Sequence, residues 1–279
     1  MQISPADIER SVRFALEEDI GGGDLTALLI PPGQEATACV ISRDSAVLCG
    51  RAWFDACFRL LDNGTRIHWL ATEGSTISPN QTLCEIRGTA RSLLTAERSA
   101  LNFLQTLSAV ATLTRRYVDA VAGTGAAIMD TRKTLPGLRL AQKYAVTVGG
   151  GKNQRVGLYD GVLIKENHIA AAGGIQQALA AAHQASGDTP VQIEVETLEQ
   201  LQTALDAGAT LVLLDNFTHD QMRTAVVCNA GRAQLEASGN ITLDNVRAVA
   251  ETGVHRISIG ALTKNIQAID LSMRFEVGA

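Results

Sequence analysis

Arg132, Lys133, Arg155 and Lys165 lie in one basic stretch, and two acids, Glu194 and Asp215, stand near the ends of later apolar runs. Arginine takes up carboxylates and phosphates through paired donors, whereas lysine acts as a point charge. Two carboxylates from neighbouring runs suit Mg2+, which binds through one or two carboxylates plus substrate oxygens. Ser238-Gly239-Asn240 and Gly260-Ala261 follow the last two apolar runs, and each opens a helical pattern. Small residues at such places let backbone N–H groups and helix N-termini approach a phosphate. The set points to a phosphorylated, metal-bound polyanion held together with a carboxylated partner. From Arg132 to Lys165 seven cations face a single acid, Asp160, inside a chain of net charge −5. Arg139, Lys143 and Lys152 among them read equally well as solvated helix sides.

These residues need a scaffold, and the C-terminal half repeats one unit: a short β-rich run, a polar turn, an amphipathic helix. The runs are 126–129, 161–164, 191–195, 211–214, 233–235 and 256–259. Helical patterns at 175–184, 198–207, 220–228 and 243–251 lie between them, and Gly208 and Gly253 close two of these as helix stops. Strands alternating with helices imply a parallel sheet with right-handed crossovers, open or closed into a barrel, and the short repeat favours a compact barrel. Polar, charged or Gly residues stand at the carboxyl end of all six runs, the rim on which parallel barrels build active sites. The N-terminal part differs. It reads as a helix to about residue 20, a Gly-rich capping turn at Gly21-Gly22-Gly23-Asp24, short strands within 36–49 and 66–87, and a helical stretch at 92–122. That stretch is long enough to join two domains, which places a boundary inside it or at a break in it, near Ser108.

Other chemistries find no support. Gly149-Gly150-Gly151-Lys152-Asn153 lacks the first glycine and the Ser/Thr of a Walker sequence, and Gly123-Thr124-Gly125 precedes its strand and lacks the third glycine of a dinucleotide fingerprint. No Gly-x-Ser-x-Gly elbow occurs, and the five histidines, His168 in a rim segment included, have no metal-ligand spacing. Five scattered cysteines without a Cys-x-x-Cys argue against a disulfide framework or zinc site and for a reducing cytoplasm. The net charge argues against nucleic acid, and no apolar run approaches the ~18 residues of a membrane span.

At these same residues the chain resembles the quinolinate phosphoribosyltransferase family. The matching stretches are 95–108, 130–139 (opening Asp130-Thr131-Arg132-Lys133), 143–146, 149–151, 163–169, 214–216, 235–239 and 260–263, together with Glu18-Asp19 and 23–26. They cover nearly the whole chain in family order. The resemblance implies an α/β fold: an N-terminal α/β sandwich (1–108) and an incomplete α/β barrel with parallel strands (109–267), with 268–279 able to pack back on the first. It further implies a head-to-tail homodimer in which each site borrows residues from the partner, with assembly beyond the dimer left open. Quinolinate would be held by Arg132, Lys133, Arg155 and Lys165, with Arg98 arriving from the neighbouring subunit, and Thr131 joins the substrate-binding set. Phosphoribosyl pyrophosphate and Mg2+ would use Glu194 and Asp215, and the 5′-phosphate the loops Ser238-Gly239-Asn240 and Ile259-Gly260-Ala261. Lys133, Lys165, Glu194 and Asp215 are the expected catalytic residues. The activity implied is phosphoribosyl transfer to quinolinate with decarboxylation, giving nicotinate mononucleotide.

One departure bears on the carboxylate clamp: the family usually has His-Arg where this chain has Gln154-Arg155. A Gln amide donates hydrogen bonds but carries no charge, so the departure implies weakened quinolinate binding, improved by Gln154→His most at low pH. Three other readings stay open on the residues alone: a Schiff-base enzyme using Lys165, a catalytically idle anion-binding homologue, and a relative acting on a different substrate.

Overall fold

The computed structural model describes residues 1–275. The chain forms two compact units, one of Met1–Arg115, Thr134–Gly150 and the stretch from Thr263 on, the other of Arg116–Lys133 and Gly151–Leu262. In chain order the first elements are α1 (Pro5–Ile20), β1 (Glu35–Ser42), β2 (Ala46–Val47), α2 (Arg51–Leu61), β3 (Arg66–Trp69), β4 (Thr76–Ile77), β5 (Thr82–Thr89) and α3 (Ala90–Ala120). There follow β6 (Ala127–Met129), α4 (Arg139–Val148), β7 (Val162–Ile164), α5 (Glu166–Ala172), α6 (Ile175–Ser186), β8 (Val191–Val195), α7 (Leu198–Asp206) and β9 (Leu211–Asp215). The last are α8 (His219–Asn229), β10 (Gln234–Ser238), α9 (Val246–Ala250), β11 (Arg256–Ser258), α10 (Ala261–Lys264) and β12 (Leu271–Phe275).

In the first unit an antiparallel sheet runs β12-β1-β5-β3, so the C-terminal strand pairs with β1, Val40 opposite Met273. Its core gathers Trp53, Phe54 and Phe58 of α2 with Leu83 and Ile86 of β5. The Gly-rich turn is a capping structure, as its sequence suggests: Asp24 accepts from the Ala27 amide at 2.9 Å and from the Thr95 hydroxyl at 2.8 Å. Of the two expectations near Ser108, a break does not occur. Helix α3 is a single helix of 31 residues with no Gly or Pro in it, and the Ser108 hydroxyl is satisfied by the Cys49 amide (2.9 Å) and carbonyl (3.1 Å). A serine whose hydrogen bonds are met by a neighbouring segment does not interrupt a helix.

The second unit is an α/β barrel. Its six strands, all parallel, run β6-β11-β10-β9-β8-β7, and the two end strands do not pair with each other, which leaves the barrel incomplete. The segment at Lys152 lies along the free edge of β6: its amide donates to Ile128 (2.8 Å) and its carbonyl accepts from Asp130 (3.1 Å). Alternation along the strands sends Ile193, Val195, Val212, Leu214, Leu235 and Ala237 outward into a buried apolar layer. The opposite face carries Gln192, Glu194, Leu213, Glu236, Ser238, Arg256 and Ser258 into the lumen. Glu236 therefore corrects the expected strand end. The strand does not stop at residue 235 with Glu236 on the rim; it runs to Ser238, and Glu236 is fully buried inside. Among the described residues no helix is long and apolar enough to cross a membrane.

Candidate active site

A cavity of about 510 Å3 opens within the second unit and extends from the carboxyl rim of the strands down the lumen. Seven residues expected from sequence line it: Thr131, Arg132, Lys133, Arg155, Lys165, Glu194 and Ser238. Arg132 and Lys133 follow β6, and Thr131 Oγ1 accepts the Lys133 amide at 3.1 Å, which fixes the turn. Arg155 leaves the segment beside β6; its guanidinium donates to the Gly161 carbonyl at 2.9 Å. Burial first, and then repulsion from Arg132, hold Arg155 below the usual arginine range, with Asp160 opposing. Two guanidinium groups placed to repel each other in a partly desolvated cleft form a site that an anion relieves. Asp160 also accepts the Val156 and Gly157 amides, each at 2.8 Å, closing the loop between Arg155 and β7.

Lys165 ends β7 and starts α5, where its amide donates to His168 Nδ1 at 3.0 Å. His168 is thus a helix cap. The Lys165 ammonium meets both oxygens of Glu194, at 2.9 and 2.7 Å, in an ion pair whose carboxylate side chain is 10% exposed. A lysine engaged in this way serves to pair with anions, which disfavours the Schiff-base reading.

The remaining rim residues do not line this cavity but stand at the same strand ends. Glu194 pairs with Leu213, two residues before Asp215, so alternation puts both carboxylates on one face of adjacent strands. Asp215 pairs with Ser238 and accepts from Asn216 Nδ2 at 2.9 Å. Left-handed backbone occurs in both turns, at Asn216 (φ 56°) after β9 and at Gly239 (φ 102°) and Asn240 (φ 51°) after β10, and a Cβ on Gly239 would overlap Asn216 Oδ1. Gly260 lies under the Lys133 stem, where a Cβ would fall 2.9 Å from Lys133 Cδ. Ile259 donates its amide to Met129 at 3.0 Å, and Ala261 begins α10. The helices expected to open directly after both small-residue loops are short: α10 has four residues, and α9 begins only at Val246. The approach to a phosphate there rests on the loops themselves. Arg98 lies exposed on α3 in the first unit and does not line the cavity.

Among the described residues no three His, Cys, Asp or Glu side chains form a metal cage. Mg2+ keeps most of its shell as water and substrate oxygen and needs only one or two carboxylates. Glu194 and Asp215, both on one face, fit such an ion. Gln192, Arg256 and Ser258 in the lumen are not legible as site residues in the sequence, although the period-two alternation of polar residues within the strands carries the signal.

A parallel α/β barrel whose carboxyl rim joins clustered cations to two carboxylates defines an enzyme for anionic substrates. Residues 110–274 match the family described as "Quinolinate phosphoribosyl transferase, C-terminal domain", and residues 24–108 the corresponding N-terminal domain. The chain is 42% identical over 273 residues to the nicotinate-nucleotide pyrophosphorylase (carboxylating) of Mycobacterium leprae, covering 94% of this chain and 95% of that one. It is 41% identical over 257 residues to a probable enzyme of the same name from Bacillus subtilis, covering 92% and 89%. The structure of the nicotinate-nucleotide pyrophosphorylase from Francisella tularensis superposes with a TM-score of 0.95 at 43% identity, covering 99% of this chain and 98% of that one. This chain belongs to the quinolinate phosphoribosyltransferase family.

Proposed function

We propose that the chain transfers the phosphoribosyl group of phosphoribosyl pyrophosphate to quinolinate and decarboxylates the product, as a step of de novo NAD synthesis. The observation that carries this reading is the lumen clamp: Arg132, Lys133, Arg155 and Lys165 face one cavity with Glu194. Quinolinate carries two adjacent carboxylates, and two repelling guanidinium groups beside two ammonium groups, one of them paired with Glu194, offer these an excess of positive charge. The pyridine nitrogen forms its bond to C1 of the ribose as the C1–pyrophosphate bond breaks, the electron pair leaving with pyrophosphate. The positive charge that builds on ribose needs no protein nucleophile. The C–C bond to the 2-carboxylate then breaks, its electrons pass into the pyridinium, CO2 leaves, and the ring carbon takes up a proton. Bound Mg2+, held through Glu194 and Asp215, would neutralise charge on the pyrophosphate oxygens.

Within the chain, Lys165 is oriented by Glu194, Lys133 by the flat floor of Gly260, and the 5′-phosphate would rest on the loops at 238–240 and 259–261. Homodimerisation completes the set: we take Arg98 to serve the partner's site, with the dimer acting in the cytoplasm. Incubation with quinolinate, phosphoribosyl pyrophosphate and Mg2+ tests the reading. Release of CO2 with nicotinate mononucleotide supports it; binding of both substrates without either product would favour the idle homologue.

A further inference from the structure

The reaction assigned above gives no role to Glu236, a carboxylate of the lumen. Glu236 is fully buried, and its level in the barrel is that of Glu194: both pair with Leu213, from opposite sides. Gln154 Nε2 reaches both of its oxygens at 2.5 Å, Gln192 Nε2 donates to it at 3.1 Å, and Arg256 Nε lies 3.1 Å away. The Ser258 hydroxyl also donates to it. The Gln154 side chain thus crosses the lumen from the free edge of β6 to β10. Its backbone is held at the near side, where the amide donates to buried Asp130 at 2.8 Å and Asn153 Nδ2 donates to the same carboxylate at 2.6 Å. The next residue is Arg155, one of the two guanidinium groups of the clamp.

Resting on the reaction assigned above, we propose that Glu236 is a positioning residue for quinolinate: through Gln154 it sets the segment that aims Arg155 into the cavity. The Gln154 amide nitrogen donates to Glu236 and, at 3.2 Å, to Gln192 Oε1, so this side chain faces the lumen wall and its position orients the clamp. A carboxylate buried with an arginine is costly to leave unpaired, and here that requirement ties two walls of the lumen to one side chain.

A double-mutant cycle tests this. Gln154→Ala and Glu236→Gln should each raise the KM for quinolinate about tenfold, with the KM for phosphoribosyl pyrophosphate within about twofold, and the double variant should be no worse than Gln154→Ala, since one removes and the other weakens the same linkage. Multiplying effects, an unchanged quinolinate KM, or a fall in kcat alone would overturn the proposal. Should Glu236→Gln not fold, Glu236→Asp, which keeps the charge and withdraws it by one methylene, takes its place with the same expected outcomes.

A second readout needs no turnover. In Gln154→His, the imidazole would face Glu236, with Arg256 of β11 and the adjacent Arg155 opposing, the Asp130 carboxylate at the residue's own amide adding to Glu236, and Gln192 and Ser258 neutral. Its NMR titration should lie above the usual value of about 6.5 and drop when Glu236→Gln (or a Gln154→His, Glu236→Asp pair) is added. A titration indifferent to residue 236 would refute the contact. If the natural protein gives no nicotinate mononucleotide while the titration still responds, the reaction assignment fails and the linkage stands.

Discussion

Asp215 and Glu194 share a face of two adjacent strands but keep different company. Glu194 is neutralised by Lys165 at 2.7 Å, whereas Asp215 has the neutral Asn216 amide at 2.9 Å. Removing the charge at each position should therefore have different consequences. Asp215→Asn keeps the side chain's shape and its place in β9, and deletes a negative charge without orphaning a cation. It should raise the KM for Mg2+-phosphoribosyl pyrophosphate about tenfold or more, the worth of a charge-assisted contact of ~1.5–3 kcal/mol, and leave quinolinate affinity measured by calorimetry nearly intact. Equal loss of both ligands would show that Asp215 maintains the barrel and is no metal ligand. Glu194→Gln frees Lys165 and should disturb both substrates. Charge alone does not set these roles; the partner each carboxylate already has decides what its removal exposes.

At the scale of elements, two glycines do opposite work. Gly239 has φ 102° and abuts Asn216, so Gly239→Ala meets both backbone strain and overlap, and it should lower melting temperature together with activity. Gly260 has no such backbone demand; Gly260→Ala only presses its Cβ on Lys133 Cδ at 2.9 Å. It should leave melting unchanged and lower kcat/KM by roughly tenfold, about 1.4 kcal/mol of misplaced cation. A melting loss in Gly260→Ala would place the strain in the fold instead. Asp24 supplies a pH test. The Ala27 amide and then the Thr95 hydroxyl lower its pKa from the ordinary 3.8. Its contribution to stability is thus fully present above 3.8 and lost as pH falls through the lower folded value. Asp24→Ala should melt below the natural protein at pH 7 and converge with it near pH 2; a constant gap would deny the linkage.

The same scale explains what the sequence made legible. The barrel strands announce themselves because their outward faces are apolar, and Asp215 or Lys165 can be placed at strand ends from the turn that follows. Glu236 is misplaced for a physical reason: a charged residue after Ala233 and Leu235 looks like a strand end until the lumen is known to be polar. Helices α2 and α4 lack a local start signal. The first begins at Gly50 with Glu73, distant in sequence, accepting the Gly50 and Arg51 amides at 2.8 and 3.2 Å, and the second follows Leu138 with no side-chain cap.

For the whole molecule, the unabsorbed residue is Arg98. It is exposed on α3 in the first unit, while the clamp it would complete belongs to the second. In the proposed homodimer, a site made of Lys133 from one subunit and Arg98 from its partner would obey two-fold symmetry. The consequence can be measured. Arg98→Ala and Lys133→Ala homodimers should each be nearly inactive, since each damages both sites. Mixed in equal amounts and allowed to exchange, half the dimers become hybrids, and in each hybrid one site collects both losses while the other keeps both residues. Activity should return to about a quarter of the natural level. Recovery must track the hybrid fraction seen by native mass spectrometry of differently tagged subunits. Verified exchange with no recovery would mean that Arg98 acts within its own subunit or not at all, and the shared-site dimer would have to be abandoned.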